Sequence, residues 1–245
     1  MKALVTVAHP DDEVLGCGGT IARLSGEGHD VYVAILGEGI TSRYDRREQA
    51  DQEIIEKLQC RSRQVSKLLG VKELCLFNLP DNRFDTVPLL DIVKIVERLI
   101  DRFQPQIVYT HHGSDLNIDH AITHRAVMTA TRPVANCPVL EIYAFEAPSS
   151  TEWSFSRFKP VFQPNVFVDI SDTIETKLRA MALYDSESRS FPHPRSPDAL
   201  HAFSKCRGSI AGCGAAEAFE LIRAIRPKGK STMMLNKPEK ITGLI

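Results

Sequence analysis

The sequence has no pair of cysteines at C-x-x-C spacing: its six cysteines, at positions 17, 60, 75, 137, 206 and 213, are scattered. That excludes a cysteine zinc ribbon and a disulfide framework, and leaves reduced thiols as the expectation. No apolar run approaches the ~18 residues that a membrane-spanning helix needs. The N-terminal apolar run, residues 3–8, breaks at His9 before the core of a signal peptide could be built. A charge excess is missing too. Thirty basic against thirty-one acidic residues leave a formal charge of −1, so no whole-chain field draws the protein to nucleic acid or to an anionic membrane. Repeats, low-complexity tracts and linkers are absent. These absences predict a cytosolic, cytoplasmic chain with residues 1–226 as one domain and residues 227–245 as a loose basic tail. They leave the oligomeric state open, homo-oligomers included.

What is present is an ordinary hydrophobic fraction, 43%, arranged in a regular rhythm. Residues 2–8 form a continuous apolar run, as in a strand buried on both faces. Room for a short helix follows over residues 19–26, then a second strand over 30–36. A long polar segment with helical spacing, residues 46–69, closes at Gly70. Residues 73–79 read as a third strand. Residues 88–103 read as a helix with Leu89, Ile92, Val93, Val96, Leu99 and Ile100 on one face. A fourth strand over 105–112 and a helix over 119–132 continue the alternation. After residues 139–146 the rhythm weakens. Residues 164–171 look like a strand, and Asp172 with Glu175 fits a capping box for a helix to Tyr184. Ser196-Pro197 opens another helix, and residues 217–225 read as strand, although their length also permits helix. Strands separated by helices imply parallel pairing through right-handed crossovers. The predicted fold is therefore α/β, a Rossmann-like αβα sandwich with a mostly parallel sheet.

In such a sheet, ligands collect beyond the carboxyl ends of the strands. The stretch VAHPDDEVLGCGG, residues 7–19, lies at such an end. Its glycines give G-x-G-G rather than G-x-G-x-x-G, and the carboxylates before them would repel a pyrophosphate, so dinucleotide binding is excluded. His9 and Asp12 can instead supply an imidazole nitrogen and a carboxylate oxygen to zinc or a related divalent metal. Asp11 is crowded out as a further ligand but lies within reach of a water beside such a metal. The alternative is that Asp11 and Asp12 merely cap the next helix. That accounts for one carboxylate and leaves His-Pro and the other acid without a role.

A catalytic zinc takes three protein ligands and keeps a position open, so a further ligand is expected from another strand end. The stretch THHGSDLNIDHAITHR, residues 110–125, follows strand four and holds His111, His112, Asp115, Asp119, His120 and His124. His120 and His124 share a helix face, but no H-E-x-x-H is present.

AHPDDE at 8–13 together with D-x-N-x-D-H at 115–120 resembles the LmbE/PIG-L family of metal-dependent N-deacetylases over about residues 1–145, and SESRSFPHPRS at 186–196 resembles the segment facing the active site in some members. The resemblance implies His9, Asp12 and His120 as zinc ligands, with iron or cobalt accepted by the same donors. It implies Asp11 as general base, and Asp119 as the acid that orients its neighbours by hydrogen bonding. Many members have histidine where this chain has Asn117. The role of stabilising the oxyanion then falls on the metal, on the Asn117 amide, or on another residue, for which His193 between two prolines is the candidate. A loop histidine beside two turn-forming prolines accounts for His193 equally well.

The implied reaction is hydrolysis of an N-acyl group, N-acetyl on an amino sugar or its conjugate, a nucleotide sugar included. The motif equally admits a deacylase or amidase for another N-acyl metabolite. A non-catalytic metal- or sugar-binding protein is the remaining alternative, and retention of Asp11 argues against it. For substrate contacts the candidates are Arg43 and Arg47 in the charged loop after strand two, Asp81 beyond strand three, and Arg195. The same loop reads equally as a solvated segment before a helix. Trp153, the single tryptophan, offers a sugar face or plain packing.

Overall fold

The structure, a computed structural model, describes residues 1–227. The expected basic tail lies outside the described residues apart from Pro227. Strands β1 (Lys2–Val7), β2 (Asp30–Gly37), β3 (Glu73–Leu79), β4 (Ile107–His111), β5 (Glu141–Phe145), β6 (Val166–Asp169) and β7 (Ala216–Ala224) form one sheet in the order β3-β2-β1-β4-β5-β7-β6. Strands β1 to β5 pair in parallel, and β7 inserts antiparallel between β5 and β6. The helices are α1 (Asp12–Gly26), α2 (Gln52–Leu69), α3 (Leu89–Phe103), α4 (Ile118–Ala130), α5 (Ile174–Leu183) and α6 (Pro197–Ala211).

The continuous apolar runs are explained by burial on both faces. In β1, Ala3, Val5 and Val7 join a core shared with α1, α2, α5 and α6, while Leu4, and Ala8 just after the strand, join a second core shared with α3 and α4. The architecture is thus the expected αβα layering. The cysteines are free thiols, and among the described residues no helix is long and apolar enough to cross a membrane.

Several boundaries differ from the sequence expectation. Helix α1 starts at Asp12 instead of the expected residue 19, and its glycines serve packing. A Cβ on Gly16 would lie 2.2 Å from the Phe145 ring, so only glycine lets the helix sit on β5. The helix breaks at Cys17, where φ is −148°. A break frees backbone groups that must find partners. Glu217 of β7 accepts from the Gly19 N–H (3.0 Å) and the Thr20 N–H (2.7 Å). Lys177 of α5 donates to the Leu15 carbonyl at 2.9 Å and to Glu217 at 2.6 Å. A buried ion pair from two distant segments therefore closes both ends of the break.

The helix expected from residue 46 begins at Gln52, capped by Asp51, after two short 3-10 turns. Leu89, expected on the buried face of α3, is exposed, whereas the remaining residues of that face are buried. Asp172 does not cap α5. Thr173 is the N-cap, and its hydroxyl is spent on the Gly19 carbonyl at 2.9 Å. Ser196 does cap α6, accepting from the Ala199 N–H.

Candidate active site

The strand order reverses between β1 and β4, since β2 lies on one side of β1 and β4 on the other. This is where a doubly wound sheet opens a crevice at its carboxyl edge. The segment after β1 and the segment after β4 meet there. Asp12 Oδ2 accepts from the His9 N–H at 2.8 Å, which closes the His-Pro-Asp-Asp turn into α1. Asn117 caps α4 by accepting from the Asp119 N–H at 2.9 Å, and so presents Asp119 and His120 from the first helical turn.

His9, Asp12 and His120 are buried and offer ligand atoms all within 4.8 Å of one another. Asp12 Oδ2 lies 3.4 Å from His9 Nδ1 and 3.2 Å from His120 Nε2. The outer nitrogens face carboxylates. His9 Nε2 donates to Asp119 Oδ2 at 3.0 Å, and Asp119 is itself held by the Phe84 N–H at 2.9 Å. His120 Nδ1 lies 3.2 Å from Asp115 Oδ1 without an in-line hydrogen bond. Carboxylates behind metal-binding imidazoles fix the ring plane and raise ligand basicity. A second grouping, His9 with Asp81 and Asp119, is equally compact. It offers one imidazole, and its Asp119 is already committed to His9 and to the Phe84 backbone, so the first grouping is the better cradle.

The residues fit a divalent ion. Two imidazoles and a carboxylate suit zinc and its neighbours. Asp11, Asp12, Asp81, Asp115 and Asp119 are buried together, and among the described residues the lone arginine or lysine bonded to them is Arg195, on Asp11. The electrostatics of the neighbouring groups point to the same need for positive charge. Burial lowers His120, yet Asp12 and Asp115 raise it to about 9. Burial likewise lowers His9, but Asp119 and Asp12 raise it well above its usual value. Burial raises the Asp12 carboxyl, and the neighbouring His120 and His111 nevertheless hold it well below the ordinary range.

Asp11 stands apart from this cluster. Its backbone is left-handed, φ 102°, which turns its carboxylate toward Arg195 Nη1, 2.8 Å away. Burial raises its pKa well above the ordinary value, opposed by Arg195. Asp11 and His9 line an open cavity together with Arg43, Asp81, Asn82, Asn117, Glu187 and Arg195. Asp81 reaches toward His9 Nε2 (3.3 Å) and accepts from the Ser42 N–H in the loop after β2 (3.0 Å).

Two expected site residues lie elsewhere. The Arg47 guanidinium is held bidentately by Glu38, at 2.8 and 2.7 Å, and it is outside the cavity lining. His193 is also outside that lining. Its Nδ1 accepts from the Arg195 N–H at 3.1 Å, and its ring meets Trp153 edge-on. His124 turns away from His120 and bonds the His111 carbonyl at 2.9 Å.

Residues given no particular role from the sequence also shape the site. Asp115 accepts from the Thr151 hydroxyl (2.7 Å) and the Ser150 hydroxyl. His111 stacks on His120 with ring centroids 3.8 Å apart and accepts from the Ala8 N–H; burial and His120 push it down to about 4. Glu13 and Tyr184 pair beneath Asp11 at 2.6 Å. Asp115 and Glu13 stand inside the two motifs, so position was the available signal. Glu187 lies in the 186–196 segment already matched to the family, whereas Tyr184 carried no signal.

A buried imidazole–carboxylate cradle at the carboxyl edge of an αβα sheet, with a further carboxylate outside the cradle beside it, is the construction of a metal-assisted hydrolase. The chain belongs to the PIG-L family, described as GlcNAc-PI de-N-acetylase, whose model matches residues 4–131. It is 30% identical over 190 residues to the "uncharacterized deacetylase YaiS" of Escherichia coli (strain K12), covering 73% of this chain and 88% of that protein. It is 28% identical to a diacetylchitobiose deacetylase of Thermococcus kodakarensis, covering 76% and 70%. Among solved structures, an N,N'-diacetylchitobiose deacetylase from Pyrococcus horikoshii shares the fold with a TM-score of 0.73 and 21% identity, covering 91% of this chain and 84% of that one. N-deacetylation is the activity for which these relatives are named.

Proposed function

We propose that the protein hydrolyses the N-acetyl group of an acetylated amino sugar, with zinc held by His9, Asp12 and His120 and with Asp11 as general base. The observation that carries this reading is the separation of roles at one cavity. Three buried ligand atoms converge behind His9, while the Asp11 carboxylate faces the cavity with no place in the cradle. A divalent ion there supplies Lewis acidity, polarising the acyl carbonyl and making water more acidic.

The chain's own groups do the rest. Burial makes the Asp11 carboxylate a stronger base than an exposed aspartate, while Arg195 opposes that shift and aims the group. It takes a proton from the attacking water and returns it to the departing amine nitrogen. The Asn117 side-chain oxygen is occupied by the Asp119 N–H, and its NH2 donates to Asn82 at 2.9 Å. One N–H of Asn117 is left for an oxygen in the cavity. Asp81, Asn82 and Arg43 present donors and acceptors suited to sugar hydroxyls. Amino-sugar substrates are supported by the relative named diacetylchitobiose deacetylase.

The test is acetate release from N-acetylglucosamine and diacetylchitobiose, with N-acetyl amino acids as a contrasting panel, before and after chelation. Acetate from the sugars, abolished by chelator and restored by zinc, is expected. Release from the amino-acid panel alone would move the substrate to another N-acyl metabolite.

A further inference from the structure

We infer that the turn closing α5, from Tyr184 to Glu187, positions Asp11 from two sides: Tyr184 sets its backbone through Glu13, and Glu187 sets its carboxylate through Arg195. The inference rests on reading Asp11 as the base, and it adds positioning residues to that reading.

Asp11 has φ 102° and ψ −27°. A residue with a Cβ adopts such a conformation at a cost, and it persists only where the surroundings over-determine it. The surroundings here are specific. The Asp11 N–H donates to Glu13 Oε2 at 3.1 Å, and Glu13 Oε1 accepts from the Tyr184 hydroxyl at 2.6 Å. Both oxygens of a fully buried carboxylate are thereby spent on this connection. Burying a carboxylate is costly, and stability alone gives no reason to choose one over an apolar side chain. Tyr184 is itself fully buried, its ring part of the core beneath α1, α2 and α5. A phenylalanine would fill the same space, so the hydroxyl is there for Glu13.

The opposite side of Asp11 is reached from the same turn. The Glu187 and Ser188 N–H groups both donate to the Tyr184 carbonyl at 2.9 Å, which fixes Glu187 relative to Tyr184. Glu187 Oε2 lies 3.5 Å from Arg195 Nη1, which donates to Asp11 Oδ2 at 2.8 Å. Arg195 Nε is anchored on the Ser149 hydroxyl at 2.7 Å. Arg43, from the loop after β2, also donates to both Glu187 oxygens at 2.8 Å. One turn, 171 residues beyond Glu13 at its tyrosine, thus holds the peptide, the carboxylate and the cavity lip in register.

Tyr184→Phe removes one hydroxyl from the metal-loaded enzyme without changing volume. Its kcat should fall about 10- to 100-fold, the worth of one hydrogen bond to a carboxylate, with KM and bound metal unchanged. In an Asp11→Asn background the same substitution should lower kcat no further, because residues that act through one group are not additive. Amide exchange at Asp11, protected in the wild type, should speed up in Tyr184→Phe. Should Tyr184→Phe not fold, Glu13→Gln is read in the same way, since its amide group can no longer accept both hydrogen bonds. Wild-type kcat in these variants, or an undiminished penalty in the Asp11→Asn background, overturns the inference. A wild-type protein without deacetylase activity would instead overturn the functional reading. The exchange measurement then still decides the clamp, and equal Asp11 exchange in wild type and variant overturns it.

Discussion

Asp115→Asn tests how the metal cradle is held. Asp115 Oδ1 lies 3.2 Å from His120 Nδ1, the nitrogen turned away from Asp12. The carboxylate cannot swing aside, because the Ser150 hydroxyl, the Thr151 hydroxyl (2.7 Å) and the Asn117 N–H (2.9 Å) hold it. Asparagine keeps this shape and one oxygen. Its amide nitrogen can face Thr151, whose hydroxyl reverses from donor to acceptor. What is lost is the negative charge behind His120, the charge that helps raise that imidazole. Removing such a partner weakens metal binding ~10- to 100-fold, or about 1.4–2.7 kcal/mol. Competition for zinc against a chromophoric chelator near neutral pH, on wild type and variant in parallel, measures it. A dissociation constant within twofold of wild type would refute the claim that Asp115 supports the His120 ligand.

Metal removal should destabilise the wild type. An ion 1,000-fold above its dissociation constant contributes ~4 kcal/mol to folding, so chelation should lower Tm by several degrees, whereas His120→Ala should show no response to chelator; equal responses would contradict the ligand assignment. Lys177→Met leaves the Glu217 carboxylate buried with only the Gly19 and Thr20 N–H groups. Stranding a buried charge costs ~3–5 kcal/mol, at ~2–4 °C in Tm per kcal/mol for a chain of this size; thermal unfolding showing a loss below 1 kcal/mol, on the order of one hydrogen bond, would refute it.

How much of this was legible from the sequence depended on how locally each feature is determined. Strands β1, β2 and β4 are buried on both faces, so their apolar runs are uninterrupted and readable. The two motifs lie at strand ends that the topology makes neighbours, and the structure brings His9, Asp12 and His120 together. The expected helix over 19–26 missed the start of α1 at Asp12, because distant partners set what Gly16 and Gly19 do there. Their smallness answers Phe145 and Ile170, and the break at Cys17 is repaired by Lys177 and Glu217 from far along the chain. The antiparallel insertion of β7 between β5 and β6 is likewise a choice of partner that no local pattern encodes. In the site, Arg47 looked available because Glu38, its bidentate partner, is nine residues away and buried by the fold. Tyr184 and Glu187 acquire their importance only once α5 packs beside α1.

The most direct test of the central claim is the turnover of zinc-loaded Asp11→Asn compared with zinc-loaded wild type, at equal metal per chain. General-base catalysis is worth ~10²- to 10⁴-fold, so acetate release from an acetylated amino sugar should fall by that factor while metal content holds. A variant that keeps its metal and turns over within a few-fold of wild type would contradict the assignment of Asp11 and the mechanism built on it.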